Sequence, residues 1–269
     1  MTDGVLIFGK TIWNMLFIDW RIMAISAVVA IIVFLLGIYL QLKKWGEGSR
    51  AYGGPSQGGS VWAFLKTLVH QIREESGSKV INILVMDVFL QRRTYKADKL
   101  RWFMHICILY GWIGLAFFSM VVTTSAEMYG VFVANDHEMF PNAWIMLEPV
   151  FDFLSYMLLI GIAIAFGRRL FSKDTRAASD GTDWILISLL ILVVASGFYA
   201  QYLRETADVT VRMLTSEYPA EYYGSFGNSF TIFHEVFSMF AMVAYIPYSK
   251  FMHIIASPLA ILATGGGKK

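Results

Sequence analysis

The sequence predicts an all-α integral membrane protein in which five transmembrane helices form one bundle. Of its 269 residues, 57% are hydrophobic and only 16% are charged, and the mean hydropathy is +0.55. This composition excludes an ordinary soluble domain and indicates a polytopic membrane protein. Five apolar stretches approach or exceed the roughly 20 residues that cross a bilayer. They lie at about residues 22–42, 102–124, 144–166, 183–203 and 229–263 of a single membrane domain, 1–269.

The distribution of Lys and Arg predicts the orientation of these spans. The segments 43–101, 168–176 and 250–269 contain 11, 4 and 3 of the 22 basic residues. Because basic residues accumulate on the cytoplasmic side, these segments are expected inside, with the N-terminus outside and the C-terminus in the cytoplasm. No basic n-region precedes the first apolar stretch, so we expect it to remain as a helix and not to be a signal peptide. The prediction is a multi-pass protein of the cell membrane with most of its mass toward the cytoplasm.

The first cytoplasmic segment, 43–101, begins with a Gly-rich linker that is expected to be flexible. Two stretches follow in which apolar residues recur at helical spacing beside basic ones, VWAFLKTLVHQIREE (61–75) and KVINILVMDVFLQRR (79–93). This pattern predicts interfacial helices that lie at the membrane surface or dock against a partner. The glycines 265–267 near the C-terminus are expected to form a tail.

Three histidines in the spans are candidate metal ligands. His234 and His253 lie 19 residues apart in the fifth stretch, and His105 lies one turn inside the cytoplasmic end of the second. Nineteen residues at ~1.5 Å rise extend about 28 Å, close to the ~30 Å hydrocarbon thickness, so one histidine is expected near each membrane face. Pro247 lies between them and is expected to kink or unwind the helix.

His105 and His253 are expected at the same depth, near the cytoplasmic face, on antiparallel helices. A histidine in the membrane is costly without a partner, and neutral imidazole is the usual axial ligand of haem iron. The pair therefore suggests a b-type haem with two histidine ligands, the alternative being hydrogen-bonded packing histidines. The absence of a CxxCH motif excludes covalent c-type attachment. His70 and His137 lie outside the spans and are expected to be exposed.

From about Trp102 to Leu262 the sequence resembles a family of membrane cytochromes b. Three stretches carry the resemblance: MHICILYGW (104–112), RRLFSKDTRAASDGTDWILISLLIL (168–192) and IPYSKFMHIIASPL (246–259). The family includes the gamma subunit of respiratory nitrate reductase and the membrane subunits of methanogen heterodisulfide reductase and of the sulfite reductase-linked complex. The longer first cytoplasmic segment, with LKKWGEG and DVFLQRR at its ends, is more similar to the heterodisulfide reductase subunit.

The resemblance implies a low-spin haem b near the cytoplasmic face with His105 and His253 as ligands. It also places a basic residue, here Lys250, near the haem propionates. His234 matches the ligand of a second, outer haem, but Leu115 stands where the partner ligand is expected, and leucine cannot bind iron. The second haem is therefore five-coordinate, is completed by another side chain, or is absent; we favour the five-coordinate form.

Carboxylates near the outer ends of the spans are candidates for accepting protons from a reduced carrier. Glu148 and Asp152 lie at the start of the third span, and Glu235 follows His234. The alternative for each is an interfacial side chain that contacts headgroups and water. No further catalytic residue is predicted, and the single cysteine, Cys107, cannot hold an iron–sulfur cluster, which takes about four thiolates.

The predicted function is that of the membrane subunit of an oxidoreductase complex. The resemblance implies oxidation of methanophenazine or a quinol near the outer face, proton release outside, and electron delivery to a cytoplasmic iron–sulfur subunit that reduces the heterodisulfide. One alternative is a menaquinol-oxidising subunit of a nitrate- or sulfite-reductase-linked complex. An alternative of another class is a haem-free anchor or a proton-relaying transporter. No nucleic-acid partner is expected.

Overall fold

The computed structural model describes residues 3–48, 60–123, 125, 129, 139–214 and 225–266, and within these ranges the regular elements are helices. The chain divides into two compact units. The first unit comprises Met1–Ile25, Phe103–Asp180 and Ile187–Phe237. The second unit comprises Ser26–Trp102, Gly181–Leu186 and Ser238–Lys269.

Ten α-helices follow one another along the described chain. They are α1 (Asp3–Gly48), α2 (Val61–Glu75), α3 (Val80–Ile83), α4 (Arg92–Ala97), α5 (Lys99–Ala116), α6 (Met139–Phe171), α7 (Lys173–Ala177), α8 (Gly181–Leu214), α9 (Ser225–Met239) and α10 (His253–Ala263). Three of them continue as π-helices, α3 through Leu84–Phe89, α5 through Phe117–Thr123 and α9 through Phe240–Ala244. Short 3₁₀ turns occupy Gly77–Lys79, Ile246–Tyr248 and Lys250–Met252.

Within the part of the chain that the structure describes, four helices are long and apolar enough to cross a membrane, at Ile25–Glu47, Lys99–Ser119, Met146–Phe171 and Gly181–Leu203. The helical class and a multi-pass membrane protein are thus confirmed. The fifth predicted span is not one continuous helix, because it breaks into two shorter apolar parts, Phe230–Ala244 and Lys250–Ala263. Five spans and their orientation stay a prediction.

In the first unit, glycines bring α5 and α6 into close contact. A methyl group on Gly111 would lie 2.9 Å from the backbone nitrogen of Leu158, and one on Gly161 would lie 2.9 Å from that of Ile108. Leu158 itself is fully buried. Because lipid provides no hydrophobic drive between helices, close backbone approach through small residues is the usual way in which membrane helices associate.

In the second unit, the break after α9 packs against α1. Ser249 has an extended backbone with φ −123° and ψ 175°, and Pro247 before it is fully buried. A methyl group on Gly37 would lie 2.6 Å from Pro247 Cβ, so only glycine admits this contact. The Gln41 amide donates a 2.6 Å hydrogen bond to the Pro247 carbonyl, and the Tyr248 hydroxyl donates one of 3.1 Å to the Val33 carbonyl. These bonds satisfy backbone groups at a break within an apolar segment, where unpaired groups cost several kcal/mol each.

The segment of the second unit that is predicted to be cytoplasmic has both predicted helices, but the second ends at Phe89 and not at residue 93. Gln91 has a positive φ of 47°, which separates the π-helix from α4. The location of these helices at the membrane surface stays a prediction.

The C-terminal glycines do not form the expected tail where the structure describes them. A methyl group on Gly265, whose φ is 62°, would lie 2.6 Å from the Glu75 carbonyl oxygen. The Arg93 guanidinium donates to the Gly266 carbonyl, and Arg92 and Arg93 both pair with the buried Asp87. These contacts attach the end of α10 to the segment that contains α2, α3 and α4.

Some predictions fall outside the described residues. These concern the linker at 49–59, most of the outer loop including His137, and the last three residues, 267–269.

Candidate functional site

His234 lies on α9 in the first unit, and its ring is held by α8. Ser196 Oγ lies 2.8 Å from His234 Nδ1, and the same hydroxyl lies 3.0 Å from the Val193 carbonyl oxygen. A carbonyl can only accept, so when the Ser196 hydroxyl donates to Val193 the serine oxygen accepts from Nδ1–H. In that arrangement the lone pair of His234 lies on Nε2, the tautomer in which Nε2 can bind a metal.

Gly197 lies beside the His234 ring and, having no side chain, leaves the space that the ring occupies. A methyl group on Gly197 would lie 3.1 Å from His234 Cε1 and 3.4 Å from Nε2. The first of these contacts is tighter than an ordinary van der Waals separation, and the second lies at its lower limit. Gly197 therefore lets the imidazole lie directly against α8, within reach of Ser196.

His253 lies at the start of α10 in the second unit, directly after the break. Ser249 Oγ accepts from the Phe251 backbone N–H, which begins the turn that leads to the histidine. His253 Nδ1 donates to the Lys250 carbonyl, and the side chain is exposed within its unit. His253 thus has the same tautomer as His234, with the lone pair on Nε2.

Lys250, the predicted propionate partner, forms an ion pair with Asp183 at the start of α8. The Nζ–Oδ2 distance is 2.8 Å, and the Asp183 side chain is largely buried while that of Lys250 is about half exposed. The role of Lys250 toward a propionate stays a prediction.

His105 and Leu115 both lie on α5 in the first unit, and both are half-buried. The structure places His105 in the first unit and His253 in the second. Their pairing as ligands of one iron stays a prediction.

The three candidate carboxylates differ in their surroundings. Glu148 is exposed on α6, and Glu235 is half-buried on α9. Asp152 on α6 accepts a 3.0 Å hydrogen bond from the Gln201 amide on α8. This hydrogen bond joins α6 to α8.

The polar partners of the predicted residues were missed from the sequence alone. These are Ser196, Gln201 and Asp183, each on α8. A polar residue in an otherwise apolar span is a signal that could have found Ser196 and Gln201, since such residues are costly in lipid without a partner.

The donor set fits haem iron. Iron in b-type haem accepts a neutral imidazole nitrogen, and two of the three predicted ligands have Nδ1 hydrogen-bonded to a protein oxygen, which directs the lone pair to Nε2. This is the usual arrangement of a histidine that binds a metal.

A comparison with protein-family models matches residues 81–261 to HdrE, a subunit of dihydromethanophenazine:CoB–CoM heterodisulfide reductase. The chain is 39% identical over 255 residues to the corresponding subunit of that reductase in Methanosarcina thermophila, an alignment that covers 91% of this chain and 92% of the relative. It is 36% identical over 252 residues to that of Methanosarcina barkeri, covering 91% of each. No solved structure matches.

A more distant relative has a different name. The chain is 24% identical over 265 residues to the EtfAB:quinone oxidoreductase of Syntrophomonas wolfei, covering 90% of this chain and 33% of the relative. The wider resemblance to nitrate reductase gamma subunits stays a prediction. The family model and the Methanosarcina relatives each cover well over half of this sequence, and the chain belongs to the HdrE family of heterodisulfide reductase subunits.

Proposed function

We propose that this chain is the haem b subunit of a heterodisulfide reductase that oxidises a lipid-soluble carrier near the outer face. It would pass the electrons to a cytoplasmic iron–sulfur subunit, with proton release outside. The family assignment supports an oxidoreductase membrane subunit, and its relatives are named for dihydromethanophenazine and the CoB–CoM heterodisulfide. The observation that carries the haem proposal is the shared tautomer of His234 and His253, in which each Nδ1 is hydrogen-bonded to a protein oxygen.

The residues divide between two proposed haem sites. His105 and His253 would hold a low-spin haem b, with Lys250 near the propionates. His234 would hold a second haem b, five-coordinate because Leu115 on α5 offers no ligand atom. Bound haem b supplies one-electron transfer, since its iron alternates between the ferric and ferrous states.

The chain's own contribution is to position the ligands. Ser196 orients the His234 imidazole, and the Lys250 carbonyl orients that of His253. Glu148, Asp152 and Glu235 are the candidates for taking protons from the carrier.

A quinol is the second candidate carrier, because one relative that spans 90% of this chain is named a quinone oxidoreductase. Reduced hydroxyphenazine and a reduced naphthoquinone, offered to the purified complex in separate assays, distinguish the two carriers. The compound that donates electrons faster identifies the chemical class of the carrier, phenazine or quinol.

A dithionite-reduced minus oxidised spectrum of the purified chain tests the proposal. A cytochrome b α-band and about two haems per chain are expected. His253→Ala and His105→Ala should each remove the low-spin signal, and His234→Ala should remove a high-spin signal only. His70→Ala is the matched control, because His70 is exposed and pairs with Glu74 at 3.0 Å. A chain without haem would instead support a membrane anchor or a proton-relaying transporter.

A further inference from the structure

We infer that Asp152 and Gln201, with the rings of Tyr156 and Phe198 beside them, form the site where the reduced carrier docks from the lipid and gives up a proton. The inference deepens the proposed function and rests on it for the supply of that carrier. It selects one of three candidate carboxylates and adds three residues that no pattern in the sequence had indicated.

Asp152 lies inside a helix of spanning length, six residues beyond the start of the Met146–Phe171 stretch. At ~1.5 Å per residue this is about 9 Å from the end that the charge distribution predicts to be outside. A carboxylate at that position costs several kcal/mol unless it has a partner or a function. The Gln201 amide provides a partner, with Nε2 3.0 Å from Asp152 Oδ1.

The hydrogen bond from the Gln201 amide leaves other acceptor positions on the Asp152 carboxylate. An ionised carboxylate offers about four lone-pair positions on its two oxygens. The Gln201 amide occupies one of them, and a hydroxyl or ring N–H of a reduced carrier fits another. The amide also fixes the direction of the carboxylate, because Asp152 and Gln201 lie on different helices.

Two aromatic rings lie next to this polar pair. Tyr156 follows Asp152 by four residues on α6, and Phe198 precedes Gln201 by three on α8, so both pairs join the same two helices about one turn apart. The Tyr156 and Phe198 ring centroids are 5.3 Å apart at an angle of 43°. A flat aromatic carrier finds here a ring surface to stack on and a carboxylate within one helical turn.

The site is open toward the surface that the spans present to lipid. Phe153, Tyr156 and Tyr202, which flank the polar pair on α6 and α8, are 66%, 56% and 58% exposed. Large apolar rings at a membrane-spanning surface are compatible with lipid, and a carrier dissolved in the bilayer can reach Asp152 between them without crossing water.

The same helix connects this site to His234. Gln201 lies five residues beyond Ser196 on α8, which is about 7.5 Å along the helix axis. Both Asp152 and His234 belong to the first unit. Asp152 is hydrogen-bonded to Gln201 and His234 to Ser196, and both partners lie on α8. The carrier site is therefore within one and a half helical turns of the Ser196–His234 contact.

The inferred chemical step is a proton transfer. An O–H or N–H bond of the reduced carrier breaks, an O–H bond forms on Asp152, and the electron pair of the broken bond stays on the carrier. Oxidation of the deprotonated carrier belongs to the proposed function above.

The test uses the purified full chain in lipid nanodiscs, with a soluble hydroxyphenazine as the probe. Asp152→Asn keeps the size of the side chain and a hydrogen bond to Gln201 but removes the proton acceptor. The rate at which reduced hydroxyphenazine reduces the haem should fall about 100-fold or more, as is typical when a general base is lost. Binding of oxidised hydroxyphenazine, followed by quenching of tryptophan fluorescence, should change less than about threefold.

Asp174→Asn is the matched control, because it makes the same chemical change on α7 in an exposed position. It should leave both the rate and the affinity unaltered. A rate for Asp152→Asn within twofold of the unaltered protein would overturn the inference, because Asp152 would then be only an interhelical hydrogen-bond partner.

A second variant keeps the test decisive if Asp152→Asn does not fold. Tyr156→Leu changes an exposed side chain and removes the stacking ring, so binding of oxidised hydroxyphenazine should weaken about 2- to 10-fold. Unchanged binding in Tyr156→Leu would contradict the ring site. A chain that lacks haem but loses probe binding in Tyr156→Leu would refute the proposed function and keep the site. If the chain contains haem but both variants behave like the unaltered protein, the carrier site is refuted and the proposed function stands.

Discussion

His234 and His253 lie on the same predicted span, yet the chain holds them in different ways. His234 lies on α9, and a side chain of another helix, Ser196, orients its ring. His253 follows a break in the helix, and its own backbone, the Lys250 carbonyl, orients its ring. The Lys250 carbonyl also accepts the His253 backbone N–H in the short 3₁₀ turn, so the ring bonds to a carbonyl of its own segment that the backbone already uses. The comparison teaches that the same tautomer can be set by tertiary contact or by local backbone geometry.

The first way to sharpen this comparison is to disturb the break without touching either histidine. Gly37→Ala places a methyl group 2.6 Å from Pro247 Cβ and 2.8 Å from the Tyr248 ring, so the break must shift. Overpacking of this kind costs about 1–3 kcal/mol. We expect a lower unfolding midpoint in detergent and an altered low-spin spectrum from the His253 site, with the His234 signal retained.

Gly167→Ala is the control for this variant, since a methyl group there meets nothing within 4 Å. It should leave the midpoint unchanged or raise it, because alanine favours a helix over glycine by up to about 1 kcal/mol. Equal destabilisation by the two variants would show that the Gly37 contact with the break does not matter.

The second variant disturbs the tertiary contact instead. Ser196→Ala removes the oxygen that accepts from His234 Nδ1, and loss of such a partner typically weakens metal binding about 10- to 100-fold. Titration of haem into the haem-depleted protein should show weaker binding at the high-spin site alone. Ser196→Thr keeps a hydroxyl and should restore most of the affinity. If the alanine and threonine variants bind equally, Ser196 does not orient the ligand.

The smallest effect is expected at the Lys250–Asp183 pair. Asp183→Asn should cost about 0.2–1 kcal/mol of stability, because the lysine is half exposed and water screens the pair. Lys250→Met removes a cation and should in addition lower the midpoint potential of the proposed low-spin haem, since a nearby positive charge favours the reduced iron. Redox titration separates the two variants. The same potential in both would assign Lys250 to the ion pair alone.

Much of the helical framework was predictable from the sequence. Four of the five predicted apolar stretches lie in helices of spanning length. The fifth was predicted as one span disturbed at Pro247, and it breaks into two helices. A proline predicts that the helix is disturbed there. The form of the break depends on contacts of Pro247 with Gly37 and Gln41, which lie on a helix more than 200 residues earlier.

The candidate site was predictable only in part, for the same reason. His105, His234, His253 and Asp152 are recognisable because ionisable side chains are rare in apolar spans. Their partners Ser196 and Gln201 are polar residues in an apolar span, which indicates that each needs a partner but not which residue that partner is. The expected glycine tail was wrong for Gly265 and Gly266, because their positive φ values and close packing cannot be read from the sequence.

The sequence by itself determined the helical class and the apolar spans, because a chain in lipid must satisfy its backbone hydrogen bonds internally and a helix does so from local residues. It also determined which side chains could bind iron or a proton. Tertiary structure alone decided how those side chains are used. The bonds from Ser196 to His234, from Gln201 to Asp152 and from Lys250 to Asp183 join residues 38, 49 and 67 positions apart. Contacts over such separations arise from helix packing, which no local pattern of residues encodes.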